Sequence, residues 1–142
     1  MAITQAMCSS FKQELLVGTH NFTNSSGNTF KIALYTSSAN LGASTTAYST
    51  SNEASGTAYS AGGNTLTNVT PTLDSTTAIT DFADTSWTSS TITARGALIY
   101  YSCASDKAVA VLDFGSDKSS SNGTFSVIFP AAAASTAIIR IA

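Results

Sequence analysis

From Thr29 to the C-terminus, apolar residues alternate with polar ones in short runs, and Gly, Pro, Asn or Asp closes most of them. A period of two puts successive side chains on opposite faces of an extended chain, so most of this polypeptide is committed to β-strands with one face on a core. Phe30, Ile32 and Leu34, interleaved with Lys31, Ala33 and Tyr35, predict a half-buried strand. Leu66 and Val69 precede Pro71, which cannot donate to a ladder and confines that strand to an edge. Further runs span Thr76 to Phe82, Thr91 to Tyr101, Lys107 to Phe114, Phe125 to Phe129 and Ala137 to Ile141. The run ending at Tyr101 is the strongest, and Gly96 within it marks a bulge or a close approach. Gly62-Gly63 reads as a hairpin turn; Ser37 to Gly56 and Gly115 to Gly123 read as surface loops, the first with a short extended piece near Tyr48. Alanines 131 to 134 form either a helical turn or a linker. Seven or eight short antiparallel strands without βαβ alternation predict an all-β chain, a single β-sandwich or jelly roll.

One segment departs from this period. Between Thr4 and Val17 the apolar residues Ala6, Met7, Phe11 and Leu15 recur at three- or four-residue spacing, and Gly18 stands where a helix would stop. Residues 1–18 are therefore expected to form an N-terminal helix or arm, and residues 19–142 the β-sandwich. The apolar stripe needs cover, from the domain's own sheet or from a neighbouring subunit.

Composition narrows the functions open to such a domain. The 142 residues suit one core of ordinary size. Ser and Thr supply 45 of them and charged residues only 10%, so the surface is polar without being charged. Six Lys and Arg against eight Asp and Glu leave no basic cluster for nucleic acid. Weak self-repulsion at low charge favours association. No run approaches the roughly 18 apolar residues of a membrane helix. A basic leader and an uninterrupted apolar stretch are absent before Lys12, so no signal peptide is expected, and Cys8 and Cys103 read as free, buried thiols in a reducing compartment. The Asn-x-Ser/Thr sequons at Asn21, Asn24, Asn68 and Asn122 then carry no weight.

Residues able to carry chemistry are scarce. His20 is the only histidine, no Gly-x-Ser-x-Gly accompanies it, and it reads as a surface or capping residue. A zinc site needs four closely spaced ligands, which this chain lacks. Asp113-Phe114-Gly115 spells a kinase magnesium triplet without the rest of that machinery. Asp113 and Asp117 flank a turn but lack an EF-hand pattern. Gly62-Gly63 is followed by Asn64-Thr65 rather than the Lys-Ser/Thr of a phosphate loop. Glu53, Asp74, Asp81 and Asp84 are read as structural acids. No catalytic, cofactor or metal residue is assigned, and no enzymatic activity is expected. Arg95, inside the strongest strand, either faces solvent or forms a partly buried charge pair with an acid, for example Asp81, Asp84 or Glu53, within the fold or across an interface. Tyr48, Tyr59, Trp87, Tyr100 and Tyr101 offer a carbohydrate-stacking face if exposed, and core packing otherwise.

Three blocks and the chain's ending carry a resemblance. They are Asn52-Glu-Ala-Ser-Gly-Thr-Ala-Tyr59-Ser-Ala-Gly-Gly-Asn-Thr-Leu66, Thr91-Ile-Thr-Ala-Arg95-Gly-Ala-Leu-Ile-Tyr100, Lys107-Ala-Val-Ala-Val-Leu-Asp113-Phe-Gly-Ser-Asp117 and the closing Ala137-Ile-Ile-Arg-Ile-Ala142. Together they resemble a family of small virion proteins of tailed bacteriophages, along nearly the whole chain. The resemblance implies a structural role: a decoration or cement protein on the outside of the head, bridging major capsid proteins, commonly as a homotrimer. It further implies assembly in the bacterial host cytoplasm and no cofactor. A tail or head-to-tail component is the alternative, and a glycan-binding host-recognition module a further one. Phe11 and Leu15 on the arm and Arg95 on the strand are the expected interface residues.

Overall fold

The structure, a computed structural model, describes residues 2–142. In chain order its elements are β1 (Ala6–Met7), α1 (Ser9–Leu16), β2 (Phe30–Tyr35), β3 (Gly56–Thr57), β4 (Asn64–Thr65), β5 (Asn68–Asp74), β6 (Thr77–Phe82), β7 (Thr85–Tyr101), β8 (Lys107–Ser119), β9 (Gly123–Val127) and β10 (Ile139–Ile141). The larger sheet runs β1-β8-β7-β2-β4, with β3 and β9 also paired to β7; the smaller runs β10-β6-β5. Every strand pairing is antiparallel, and the chain is an all-β sandwich.

The space between the sheets is filled by aromatic rings. Phe30 of β2 stacks on Phe22 with centroids 4.3 Å apart, and Phe82 of β6 packs on Phe30 at 5.9 Å and on Phe129 at 5.7 Å. The other face of the large sheet is covered by the long loop between β2 and β4. There Tyr100 stacks on Tyr48 at 4.7 Å and donates its hydroxyl to the Gly62 carbonyl, while the Tyr35 hydroxyl donates to the Ser49 carbonyl. Cover on both sides explains why β2 is buried at every position except Lys31, rather than half-buried as its alternation predicts.

Two strands are longer than their apolar runs. β7 spans 17 residues and β8 spans 13. β8 and then β9 run along the same edge of β7, so Thr85–Tyr101 and residues 107–127 make one long ribbon. The expected loop at Gly115 to Gly123 is mostly strand, because a ladder needs backbone groups and tolerates Ser, Asp and Lys wherever one face is wet. The break between β8 and β9 is stitched by Ser90, a fully buried hydroxyl within reach of the Trp87 and Gly123 carbonyls and the Ser120 hydroxyl. Gly96 is both a register shift and a close approach: a Cβ there would meet the Leu112 carbonyl and Ile3. β5 is an edge strand whose register shifts around Pro71, as its proline demands. Tyr48 lies on a short extended piece, its amide donating to the Asp106 carbonyl at 2.9 Å, and Ala133 to Ala137 close a single turn.

The N-terminal segment is part of the domain and not a free arm. β1 adds to the edge of β8, Ile3 bridges Leu41, and Phe11 on α1 is fully buried with Cys8 in the core. The domain's own sheet supplies the cover that the stripe requires.

Candidate functional site

A groove of about 600 Å³ runs beside β9. Consecutive residues Thr124 to Pro130 line one stretch of it, and Leu112, Asp113 and Phe114 of β8 another. Side chains of a strand alternate between faces, so a cleft lined by unbroken runs follows a strand edge and not a sheet face. Gln5, Lys118, Ser119 and Ile138 complete it. Among the described residues β9 pairs only with β7, so its other edge has no strand partner. The lining is chiefly apolar; Asp113 and Lys118 are its charged members, of opposite sign. Ile128 on its rim is 70% exposed.

A second groove, about 270 Å³, lies where the C-terminal end of α1 meets the small sheet, between Leu15, Phe22, Pro71, Ile79, Ile139 and Ile141. Around it the surface is apolar: Leu16, Val17, Leu73 and Ile141 are exposed, and Ile141, Ala78 and Leu73 stand opposite one another across the sheet.

The interface residues expected from sequence separate in the fold. Phe11 is sealed in the core against His20 and Phe22, with centroids 4.8 and 5.9 Å away, so it touches no other subunit. Leu15 is half-buried at the second groove. Arg95 sits in the register shift between Ala94 and Gly96, and its Nε lies 3.4 Å from Asp113 Oδ1 with both side chains about a third exposed. The charge pair therefore forms within the fold, and its acid is Asp113 rather than any of the examples Asp81, Asp84 or Glu53. A long, wet pair of this kind contributes about 0–1 kcal/mol.

His20 is a correction. Its side chain is buried among Phe11, Phe22, Phe30 and Tyr101 rather than at the surface. Its Nε2 meets Glu14 Oε1 at 2.9 Å, the second carboxylate oxygen faces Lys107 Nζ at 3.6 Å, and Nδ1 has no partner. All four acids behave as the sequence suggests, by holding structure, and three of them do so through backbone alone. Asp84 accepts the Phe129 amide at 2.8 Å, Asp74 the Ala134 amide at 2.6 Å, and Asp81 the Phe82 amide at 2.8 Å. Two of these bonds tie the segment before β10 to the sandwich.

Glu53 is a hub that sequence reasoning missed. Its carboxylate accepts the Tyr48 hydroxyl, the Tyr59 hydroxyl and the Gly62 amide at 2.7, 2.7 and 2.8 Å. Burial, with hydrogen bonds to Glu53, pushes the Tyr48 and Tyr59 phenols well above the ordinary tyrosine range. Burial likewise raises Tyr100 to about 12. These rings lock a loop and offer no stacking platform: Trp87 and Tyr100 are buried, and Tyr59 packs on Trp87 at 5.8 Å. Groups of three or more His, Cys, Asp or Glu side chains arranged to hold a metal do not occur among the described residues. No helix among them is long and apolar enough to cross a membrane.

Comparison with protein-family models, with curated proteins and with solved structures found no match to this chain.

Proposed function

We propose that this chain is a structural component of a bacteriophage virion, one that binds the outside of the head and bridges neighbouring major capsid proteins as a cement. The observation that carries this reading is the set of large apolar side chains left on the surface. Leu16, Val17, Leu73 and Ile141, around the second groove, are 57 to 89% exposed, on a chain with only 10% charged residues. Contiguous exposed apolar surface marks contact with another protein, and sparse charge lowers the desolvation cost of that contact. The blocks around Tyr59, Arg95 and Asp113, with their likeness to small virion proteins, supply the kind of partner. Such a module works by mass action: it binds the assembled shell and not its dissociated subunits, and stabilises the shell in proportion to RT ln(1 + [L]/Kd). A homotrimer at local three-fold positions suits the role.

Cryo-electron microscopy of virions of the source phage tests it. Density for this fold on the outer shell is the expected result. Density confined to the tail would replace the cement role by that of a tail component, and absence from the particle would overturn both. The buried Trp87 and Tyr100 weigh against the glycan-binding alternative.

A further inference from the structure

We propose that Asn122-Gly123 is a self-modification site, at which the chain converts its own neutral side chain into a carboxylate on the seam between β8 and β9. The reaction needs an asparagine amide that is free to move and, next along the chain, a backbone nitrogen that no side chain crowds. Three observations bring these together here, and none of them depends on the capsid reading.

The first is the state of the side chain. Among the described residues the amides of Asn21, Asn24, Asn28, Asn64 and Asn68 are held by hydrogen bonds. The exposed side chains of Asn40, Asn52 and Asn122 make none, and in Asn122 only the backbone amide is engaged. Asn40 precedes Leu41 and Asn52 precedes Glu53, whose side chains crowd the attacking nitrogen. Asn122 precedes a glycine.

The second is that the fold does not require this glycine. Asn122 has a φ of 48°, a region that asparagine tolerates better than most residues, so its presence has a backbone reason. Gly123 has none. Its φ lies outside the left-handed region, and a Cβ there would meet only the Ser121 carbonyl, at 3.7 Å. What the missing side chain supplies is open access to the Gly123 nitrogen.

The third is the backbone around the pair. β8 ends at Ser119, β9 begins at Gly123, and the register with β7 shifts between Trp87 and Ser90. The Asn122 amide donates to Thr91 Oγ1 at 3.1 Å instead of to a ladder carbonyl. Asn122-Gly123 thus straddles a break in the ribbon, and backbone outside a ladder opens most readily.

The chemistry follows from these positions. Hydroxide removes the Gly123 N–H proton, the nitrogen attacks Asn122 Cγ, the N–Cγ bond forms, and the Cγ–Nδ2 bond breaks as Nδ2 takes a proton from water and leaves as ammonia. Nucleophile and carbonyl belong to neighbouring residues, so the closure is intramolecular. Water then opens the resulting succinimide at either carbonyl, giving aspartate or isoaspartate. Both add one negative charge to a chain of formal net charge −2. Isoaspartate also lengthens the main chain ahead of Gly123, whose carbonyl accepts the buried Ser90 hydroxyl at 3.1 Å, and so loosens that stitch.

The test keeps the full chain folded at mildly alkaline pH, with the peptide Ser-Ser-Asn-Gly-Thr-Phe in the same buffer as the reference. Peptide mapping by mass spectrometry and methyl transfer by a protein isoaspartyl methyltransferase read the products. Conversion is expected at Asn122 before any other asparagine, at a rate within about tenfold of the peptide's. Gly123→Ala has room for its Cβ, retains the fold and should slow conversion by about tenfold or more. A slower rate in the folded chain than that margin, earlier conversion at Asn40 or Asn52, or an undiminished rate in Gly123→Ala overturns the site. Amide hydrogen exchange across Gly123 to Val127 tests the consequence. The isoaspartate form should exchange about tenfold faster than Asn122→Asp, which adds the charge alone. Equal exchange in the two overturns the loosening of the Ser90 stitch.

Discussion

The Tyr59 hydroxyl stands between Glu53 and the backbone of β2: it donates to the carboxylate at 2.7 Å and accepts the Leu34 amide at 2.9 Å. One phenol thus joins the sheet to the loop that covers it, and Glu53 extends the link to Tyr48 and Gly62. Glu53→Ala leaves two hydroxyls and an amide without their acceptor. Hydrogen bonds to a charged group contribute about 1.5–3 kcal/mol each, and water replaces part of that here, so a net loss of about 2–4 kcal/mol is expected. Tyr59→Phe should cost about 1–2 kcal/mol. Because the two residues share one bond, the double variant should lose less than the sum. Urea denaturation of the four proteins measures all three quantities.

Phe11 carries the N-terminal segment into the core. Its removal in Phe11→Ala empties a site closed by His20 and Phe22 and should cost about 3–5 kcal/mol. Leu16, five residues further along α1, is 89% exposed, and Leu16→Ala should stay within about 0.5 kcal/mol of wild type. Thermal unfolding followed by circular dichroism separates the two. Deleting residues 1–17 removes β1, Cys8 and Phe11 together, and the remainder should fail to fold. An intact β-domain after that deletion would restore the idea of a separable arm.

These residues mark how far the sequence could be read. Strand positions were legible where an apolar run is short and bounded, as in β2, β6 and β10, because a period of two is a local property. The edge position of β5 was legible through Pro71, and the close approach at Gly96 through a missing side chain. The long ribbon was not, since Lys118 and Ser119 pair through backbone with Ala94 and Thr93 while their side chains remain polar. His20 looked like a loop residue because its burial is created by Phe11, Phe22, Phe30 and Tyr101, three of which lie nine or more residues away. Glu53 was invisible for the same reason: its partners meet only after the loop folds back on the sheet. The groove beside β9 has no sequence signal at all, because a free edge is a property of topology.

Gly63 and Gly115 separate two costs of a positive φ. Their φ angles are 74° and 82°, but a Cβ at Gly63 would collide with the Ile32 carbonyl, while at Gly115 it meets nothing within 4 Å. Gly115→Ala should therefore cost only the conformational strain, about 1–2 kcal/mol. Gly63→Ala adds displacement of β2 and should lose at least about 3 kcal/mol. Equal midpoints in urea would show that the β2–β4 contact yields without cost.

The two thiols should differ in reactivity. Cys8 is fully buried, and burial, with Glu14 nearby, pushes its pKa up to about 11. Cys103 is half-buried. Burial pushes its thiol up, but the backbone amides of Lys107, Ser105 and Asp106 and the Ser105 hydroxyl outweigh that and leave it below the ordinary thiol value. The thiolate is the nucleophile, so iodoacetamide at mildly alkaline pH should modify Cys103 first and Cys8 only after unfolding. Mass spectrometry of the digested protein reads the order, and simultaneous labelling would mean that α1 opens readily.

Asp81 should make this protein's stability depend on acid in an unusual direction. The residue is 2% exposed, its Oδ2 has no partner, and no cation pairs with it among the described residues. Burial raises its pKa, the Phe82 and Ile138 amides pull it back in part, and the charge of Asp84 raises it further. Arg140 lies on neighbouring β10, but opposite Ile79 and with its guanidinium on the Ala134 carbonyl. A raised pKa means that the folded chain binds the proton more tightly than the unfolded chain does. The contribution of Asp81 is therefore full below about pH 3.8, its unfolded value, and is lost as pH rises through the higher folded one. Asp81→Asn keeps an oxygen for the Phe82 amide and removes the buried charge, so the variant should be the more stable protein at neutral pH. Its advantage should shrink as pH falls through the raised folded pKa, where the wild-type carboxyl becomes neutral in the fold. Chemical denaturation of both proteins across that range measures the difference directly, and a gap that widens on acidification would reverse the sign assigned to Asp81.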